Sequence, residues 1–94
     1  MNKIESIMMA RRIKISIDQA RTYGFTRINQ DKERRSPQDE LFGSYPFIAT
    51  LSDHRDKDIV ANIIRKHGGK VMISTMGFDK KWRVRFFLGK GATE

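Results

Sequence analysis

The chain has 94 residues, and its 19 lysine and arginine side chains outnumber 11 aspartate and glutamate side chains, for a formal net charge of +8 at pH 7. Two independent cores are excluded, since single domains span on the order of 50 to 200 residues. The lack of cysteine excludes a disulfide framework, a thiolate nucleophile and thiolate-ligated metal sites. We therefore expect one small domain over residues 1–94, in the cytoplasm and not in a membrane, with an anionic partner.

The charge is unevenly distributed along the chain. Residues 1–35 hold nine basic and four acidic side chains, residues 36–58 hold two and five, and residues 59–94 hold eight and two. Two basic regions thus flank an acidic one, so an anion-binding surface is expected to come from the two ends of the sequence.

The N-terminal region predicts a short helix over residues 2–10, capped by Asn2 and able to fray, followed by a strand over residues 11–17. In that strand Ile13, Ile15 and Ile17 alternate with polar residues, which is the two-residue period of a half-buried strand. The spacing of Ser16 and Gln19 resembles a capping box, so a helical turn over residues 17–23 competes for the end of the strand. The aromatic side chains of Tyr23 and Phe25 are expected in the core.

The remainder of the chain predicts a long exposed loop and then four elements. The loop covers residues 29–44, which are polar, charged and interrupted by Pro37 and Gly43. An apolar strand is expected over residues 45–51, and an amphipathic helix from Ser52 or Asp53 through His67, stopped by two glycines. Residues 71–76 and 81–88 then predict two strands joined by a hairpin loop over residues 77–80.

This order predicts an α+β domain in which helices pack on one face of a mostly antiparallel sheet. The predicted element order is strand, loop, strand, helix, strand, strand, as in ferredoxin-like or related folds. The alternative is a winged helix, in which the last hairpin is the wing and an earlier helix pair contacts DNA.

The last predicted strand carries the clearest functional pattern. Its alternate residues from Trp82 to Leu88 are apolar, while the opposite face carries cations and one aromatic ring. Cations of this kind follow a phosphate backbone, and an exposed ring stacks on a base of any identity. The predicted nucleic-acid-binding residues are Arg12, Lys14, Lys80, Lys81, Arg83, Arg85 and Phe87. The alternative is a solvated outer sheet face with Phe87 packed against the N-terminal helix.

A short motif suggests a protein partner. Gln38, Leu41 and Phe42 resemble the Q-x-x-L-F peptide by which bacterial replication and repair proteins bind the sliding clamp. The resemblance covers residues 38–42 and implies that the glutamine amide hydrogen-bonds at a pocket rim while the two apolar side chains enter a cleft. The alternative is that Leu41 and Phe42 anchor the loop to the core.

The sequence offers no catalytic constellation. His54 and His67 lie at opposite ends of the predicted helix, about 20 Å apart at 1.5 Å per residue, so they cannot share a metal ion. The three aspartates near the start of that helix are where the helix dipole favours carboxylates. We expect no enzyme activity, no metal and no cofactor.

Two functions remain open from the sequence. The first is a small nucleic-acid-binding accessory protein with little sequence preference for DNA or RNA, which by analogy suits a phage or mobile element. The second is a protein-interaction module or inhibitor that docks on a host protein or nucleoprotein complex such as the sliding clamp. An exposed strand edge also allows a homodimer.

Overall fold

The computed structural model describes residues 2–32 and 44–89. The elements in chain order are α1 (Lys3–Gln19), β1 (Thr26–Gln30), β2 (Ser44–Leu51), a 3-10 turn (His54–Asp56), α2 (Lys57–Lys66), β3 (Lys70–Met76) and β4 (Trp82–Gly89). The strands run antiparallel in every described pairing, and their order across the sheet is β1-β2-β4-β3. This arrangement, with both helices on the sheet, confirms the predicted α+β class.

The core lies between the two helices and one face of the sheet. The helices contribute Ile13 and Ile17 from α1 and Val60 and Ile64 from α2, all fully or almost fully buried. From the sheet, alternate residues of β2 and β4 point towards the helices, as the two-residue period of a strand requires. The rings of Phe47 and Phe86 stack there with their centroids 5.8 Å apart.

The predicted strand over residues 11–17 is wrong, because these residues belong to α1. The Asn2 side chain accepts a hydrogen bond from the Glu5 backbone N–H at 2.8 Å, which caps a helix that runs on to Gln19. Ile13 and Ile17 are four residues apart and share the buried face of the helix, whereas Ile15 is 56% exposed. The first strand of the structure is β1, which begins at Thr26. The competing helical turn over residues 17–23 is also wrong, since Ala20 is already extended.

The elements after the loop are confirmed, with small changes of boundary. Gly68 ends α2 in the left-handed region at φ 84°, as the sequence predicts. At Gly69 a Cβ atom would come within 2.6 Å of the Ile64 side chain, so glycine allows the chain to turn closely against the core. The winged-helix alternative is contradicted, because only α1 precedes α2 among the described helices and β1 lies between them.

The N-terminal helix and the loop have different boundaries from those expected. The helix extends well beyond residue 10, and residues 29 and 30 belong to β1. Residues 33–43 lie outside the described part of the chain. In the part that is described, no helix is long and apolar enough to cross a membrane.

Candidate nucleic-acid interface

The face of the sheet opposite the helices, here called the open face, carries three of the seven predicted binding residues, Arg83, Arg85 and Phe87. Because directly paired residues of antiparallel strands share a face, the pairings define this surface row by row. One row joins Arg27, Thr50, Arg83 and Thr75 across β1, β2, β4 and β3. The next row joins Asn29, Ile48, Arg85 and Ile73, and a third joins Pro46, Phe87 and Lys70. The alternation predicted for the last strand is therefore confirmed in β4.

Arg83 is positioned on the open face by the turn that precedes β4. Its two terminal nitrogens donate to the two carboxylate oxygens of Asp79 at 3.0 and 2.9 Å. Asp79 also accepts from the Lys81 backbone N–H at 3.1 Å, so the same carboxylate stabilises the hairpin. The hydrogen bonds from the Arg83 side chain and then from the Lys81 N–H hold the pKa of Asp79 well below its ordinary value. The hydrogen bond to Asp79 raises the pKa of Arg83.

The pair leaves Arg83 able to contact a second anion. A guanidinium has five N–H groups, and the contact with Asp79 uses two of them. The Arg83 side chain is 31% exposed. Its charge is therefore fixed in place and still reachable from solvent.

Arg85 has a structural contact that the sequence does not reveal. Its guanidinium donates to the Asp31 carboxylate at 2.5 Å, and the two side chains are only 19% and 3% exposed. The Asp31 backbone N–H also donates to the Pro46 carbonyl at 3.0 Å. Arg85 thus ties the chain after β1 to β4, and a charge in such a buried pair is costly to separate from its partner.

Lys80 and Lys81 lie at the end of the sheet beside Asp79, and both are exposed. Lys80 has φ 62°, a left-handed conformation that is uncommon outside glycine. The Lys81 ammonium lies 5.9 Å from the centre of the Phe25 ring. These two lysines therefore extend the positive charge of the open face to its edge.

Phe25 is an exposed ring on the open face that sequence reasoning missed. Its N–H donates to the Ser52 hydroxyl at 2.8 Å, and the Ser52 N–H donates to its carbonyl at 3.0 Å, so the β1–β2 pairing continues one residue beyond Thr26. Phe25 therefore shares the open face with Arg27, two residues further on. The predicted core positions of both Tyr23 and Phe25 are wrong, because these side chains are 63% and 60% exposed. The alternation of Phe25, Arg27 and Asn29 is the signal in the sequence that points to Phe25 as part of this face.

Phe87, the ring predicted to stack on bases, is half-buried on the open face. The alternative prediction, a solvated outer sheet face, placed Phe87 against the N-terminal helix. That contact is contradicted, because α1 packs on the opposite face through Ile13 and Ile17.

Arg12 and Lys14 do not extend the open face. Both lie on α1, in the helical layer on the other side of the sheet, because the predicted strand that carried them is a helix. Lys14 forms an ion pair with Asp18, one helical turn further along, at 2.5 Å.

A second group of cations and rings surrounds the end of the sheet near Phe25. The Arg55 guanidinium lies 3.9 Å from the centre of the Tyr23 ring, and Lys57 lies 4.5 Å from the centre of the Trp82 ring. Side-chain and backbone hydrogen bonds from Arg55 lower the pKa of Asp53 to about 2. Cation–ring contacts of this type hold aromatic surfaces and positive charge next to each other.

His67 and Asp56 flank the two ends of α2 and make structural contacts. His67 approaches the Ile63 carbonyl with Nδ1 at 2.9 Å and the Ser16 hydroxyl with Nε2 at 3.4 Å. Asp56 is fully buried and accepts from the backbone N–H groups of Tyr23 and Gly24 at 2.8 and 2.9 Å. Within residues 2–32 and 44–89, no group of three or more histidine, aspartate or glutamate side chains is arranged to hold a metal ion.

The clamp-binding motif is not tested by this geometry. Gln38, Leu41 and Phe42 lie outside the described residues, so docking on a sliding clamp stays a prediction. Comparison of the chain with protein-family models, with curated proteins and with solved structures finds no match.

Proposed function

We propose that this protein binds nucleic acid through the open face of its sheet, with little sequence preference. The observation that supports the proposal most strongly is the placement of Arg27, Arg83 and Lys70 on one face, with Lys81 at its end, together with the exposed ring of Phe25. Both helices lie on the other side, so this face has no helix over it among the described residues.

The chemistry of the face suits phosphate recognition. Binding to phosphates by lysine and arginine releases counterions and is independent of sequence, and it supplies most non-specific affinity for nucleic acid. A net charge of +8 on 94 residues adds long-range attraction to a polyanion. We assign Arg27, Arg83, Lys81 and Lys80 to phosphate contacts, and we assign Arg85 to holding Asp31.

The exposed ring favours single-stranded ligands within this class. A base that stacks on an aromatic side chain contributes about 1–3 kcal/mol, and the bases of a duplex are not available for such stacking. Phe25 is adjacent to Arg27 on the same face, so a base on its ring would keep its phosphate near a guanidinium. We therefore expect single-stranded DNA or RNA to bind more tightly than duplex DNA.

The test is a fluorescence-anisotropy titration of labelled single-stranded DNA, RNA and duplex DNA with the wild-type protein and three variants. We expect the Arg27→Ala, Arg83→Ala double variant to lose about tenfold in affinity for every ligand, because two phosphate contacts are removed. Phe25→Ala should weaken single-strand binding much more than duplex binding.

The matched control is the Arg65→Ala, Lys66→Ala double variant. It removes the same charge from exposed positions at the end of α2, in the helical layer. If the two double variants lose equal affinity, binding follows net charge alone and the open face is not the site. If the wild-type protein binds none of the three ligands at low salt, the proposal is wrong.

A further inference from the structure

A groove lies between α1 and β1, at the edge of the proposed nucleic-acid surface, and of the residues assigned to phosphate contacts it includes only Arg27. It has a volume of about 610 Å³. Its floor is apolar, formed by Ile7 and Ala10 of α1, Ile28 of β1 and Phe47 of β2, and Ile15 adds an exposed apolar wall. An apolar groove beside a helix is a common shape for recognising a peptide.

The groove follows one of the two edges of the described sheet. β1 is the first strand in the order β1-β2-β4-β3, so among the described strands it has a partner on one side only. Phe25 and Asp31 direct their backbone groups towards β2, as their hydrogen bonds to Ser52 and Pro46 show. In an antiparallel pair this alternation directs the N–H and C=O groups of Thr26, Ile28 and Gln30 away from β2.

The rim of the groove is positively charged. Arg11 and Lys14 line it on the α1 side and Arg27 lines it on the β1 side. Lys14 is paired with Asp18, whereas Arg11 and Arg27 have no ion-pair partner among the residues that the structure describes. An apolar floor between cationic rims is complementary to a ligand that alternates apolar and acidic groups.

We propose that the groove binds an extended segment of a partner protein, with alternating apolar and acidic side chains, as a fifth strand beside β1. A peptide supplies N–H and C=O groups in alternation and so satisfies both kinds of group on the free edge, whereas a phosphate backbone has no donor for the carbonyls. One set of its side chains would lie on the apolar floor, beside the α1 rim that carries Arg11. The acidic set would point to the other face of the new strand, next to Arg27. A second copy of this chain is disfavoured, because it would bring a charge of +8 against +8.

The test uses ¹⁵N-labelled protein and an end-blocked hexapeptide of alternating glutamate and valine. We expect the peptide to shift the amide resonances of β1 and to slow hydrogen exchange at Thr26, Ile28 and Gln30, because a new strand protects those groups. A peptide with lysine in place of glutamate, and one with serine in place of valine, should bind at least about tenfold more weakly.

Two exposed positions on α1 test the location. Arg11→Glu and Ile15→Ser should each lower affinity for the glutamate–valine peptide by about fivefold or more, whereas Arg65→Glu, the same charge change on α2, should leave it within about twofold. These variants lie off the open face, so nucleic-acid binding by Ile15→Ser should match the wild type. A failure of the nucleic-acid proposal therefore leaves this one standing, and the reverse holds too.

Three results would overturn the proposal. The first is the absence of any β1 shift at millimolar peptide. The second is an equal loss of affinity in Arg11→Glu and Arg65→Glu, which would mean non-specific attraction. The third is protection of the β1 edge by something other than the peptide. Protection in the protein alone, together with a doubled mass, would assign the groove to a second copy. Protection by oligothymidylate would assign it to nucleic acid.

Discussion

Each of four aspartates in the described structure positions another group. Asp79 holds Arg83, Asp31 holds Arg85, Asp53 holds Arg55, and Asp56 holds two backbone N–H groups. Positively charged side chains that are fixed in this way lose less conformational entropy when they meet a ligand. The carboxylates also compete with that ligand for the same cations.

Removal of the Asp79 charge should strengthen nucleic-acid binding. In Asp79→Asn the Arg83 guanidinium is no longer paired with an anion, and one negative charge is lost beside the open face. We expect affinity for single-stranded DNA to rise about threefold or more in the anisotropy titration. The matched control is Asp18→Asn, which breaks the Lys14 pair on α1 and should have a smaller effect. Equal gains from both variants would contradict a specific role for Asp79.

The lowered pKa of Asp79 gives a pH dependence with a defined sign. Because the folded pKa lies below the ordinary value of 3.8, the ionised carboxylate stabilises the folded state above that pH, and this contribution is lost as the pH falls through the folded pKa. The stability difference between the wild type and Asp79→Asn should therefore be largest near neutral pH and shrink below about pH 4. Urea unfolding at several pH values measures it, and a difference that grows on acidification would contradict the assignment.

Asp56 should be the carboxylate most important for stability. It is fully buried, and in Asp56→Ala the N–H groups of Tyr23 and Gly24 lose their acceptor. We expect the free energy of unfolding to fall by about 3 kcal/mol, since hydrogen bonds to charged groups contribute about 1.5–3 kcal/mol each. Asp58→Ala, at an exposed position in the first turn of α2, should cost about 0.5 kcal/mol in the same urea unfolding experiment. Similar losses in the two variants would rule out this role.

At the scale of elements, α1 explains why a two-residue period is an unreliable guide. Ile13 and Ile17 are separated by four residues, so they share a face in a helix as well as in a strand, and only Ile15 distinguishes the two. In the helix Ile15 turns away from the core and is 56% exposed. Tertiary packing, which the local pattern does not contain, decided between the two structures.

Alanine substitutions test this element directly. Ile13→Ala should lower the free energy of unfolding by about 2–4 kcal/mol, because it removes fully buried methyl groups. Ile15→Ala should change it by no more than about 0.5 kcal/mol. Urea unfolding of the two variants provides the measurement. A large loss for Ile15→Ala would support the strand and contradict α1.

The elements that the sequence predicts well are those with a complete pattern of their own. α2 has an apolar stripe and a glycine stop, and β3 and β4 flank a turn, so local information is sufficient. β1 has only five residues, of which Ile28 is the only aliphatic one, and its position is set by pairing with β2 across a long separation in sequence. The cations of β4 were therefore predictable as one face, whereas only a short alternation over residues 25–29 marks the face shared by Phe25 and Arg27. No local pattern predicts the Asp31 partner of Arg85.

At the scale of the whole molecule, the fold separates two basic surfaces. The helices place Arg12, Lys14, Arg65 and Lys66 in one layer. The sheet places Arg27, Lys70 and Arg83 on the opposite side, with Lys81 at its end. The charge of +8 is therefore divided between a helical surface and a flat face that also carries an exposed ring.

Salt dependence distinguishes contact residues from net charge. For single strands the logarithm of the association constant falls with the logarithm of salt concentration, with a slope of about −0.7 per phosphate contact. The Arg27→Ala, Arg83→Ala variant should therefore reduce the slope by about 1.4, whereas Phe25→Ala should leave it unchanged. A slope that is unchanged in the double variant would mean that these two guanidiniums do not contact phosphates.

The most direct test of the central claim is to map the binding surface by nuclear magnetic resonance. ¹⁵N-labelled protein titrated with a ten-residue oligothymidylate should show its largest amide shifts at Phe25, Arg27, Thr75, Lys81 and Arg83. The exposed positions of α1 and α2 should remain unchanged. Shifts concentrated on the helices, or no shifts at low salt, would contradict nucleic-acid binding by the open face.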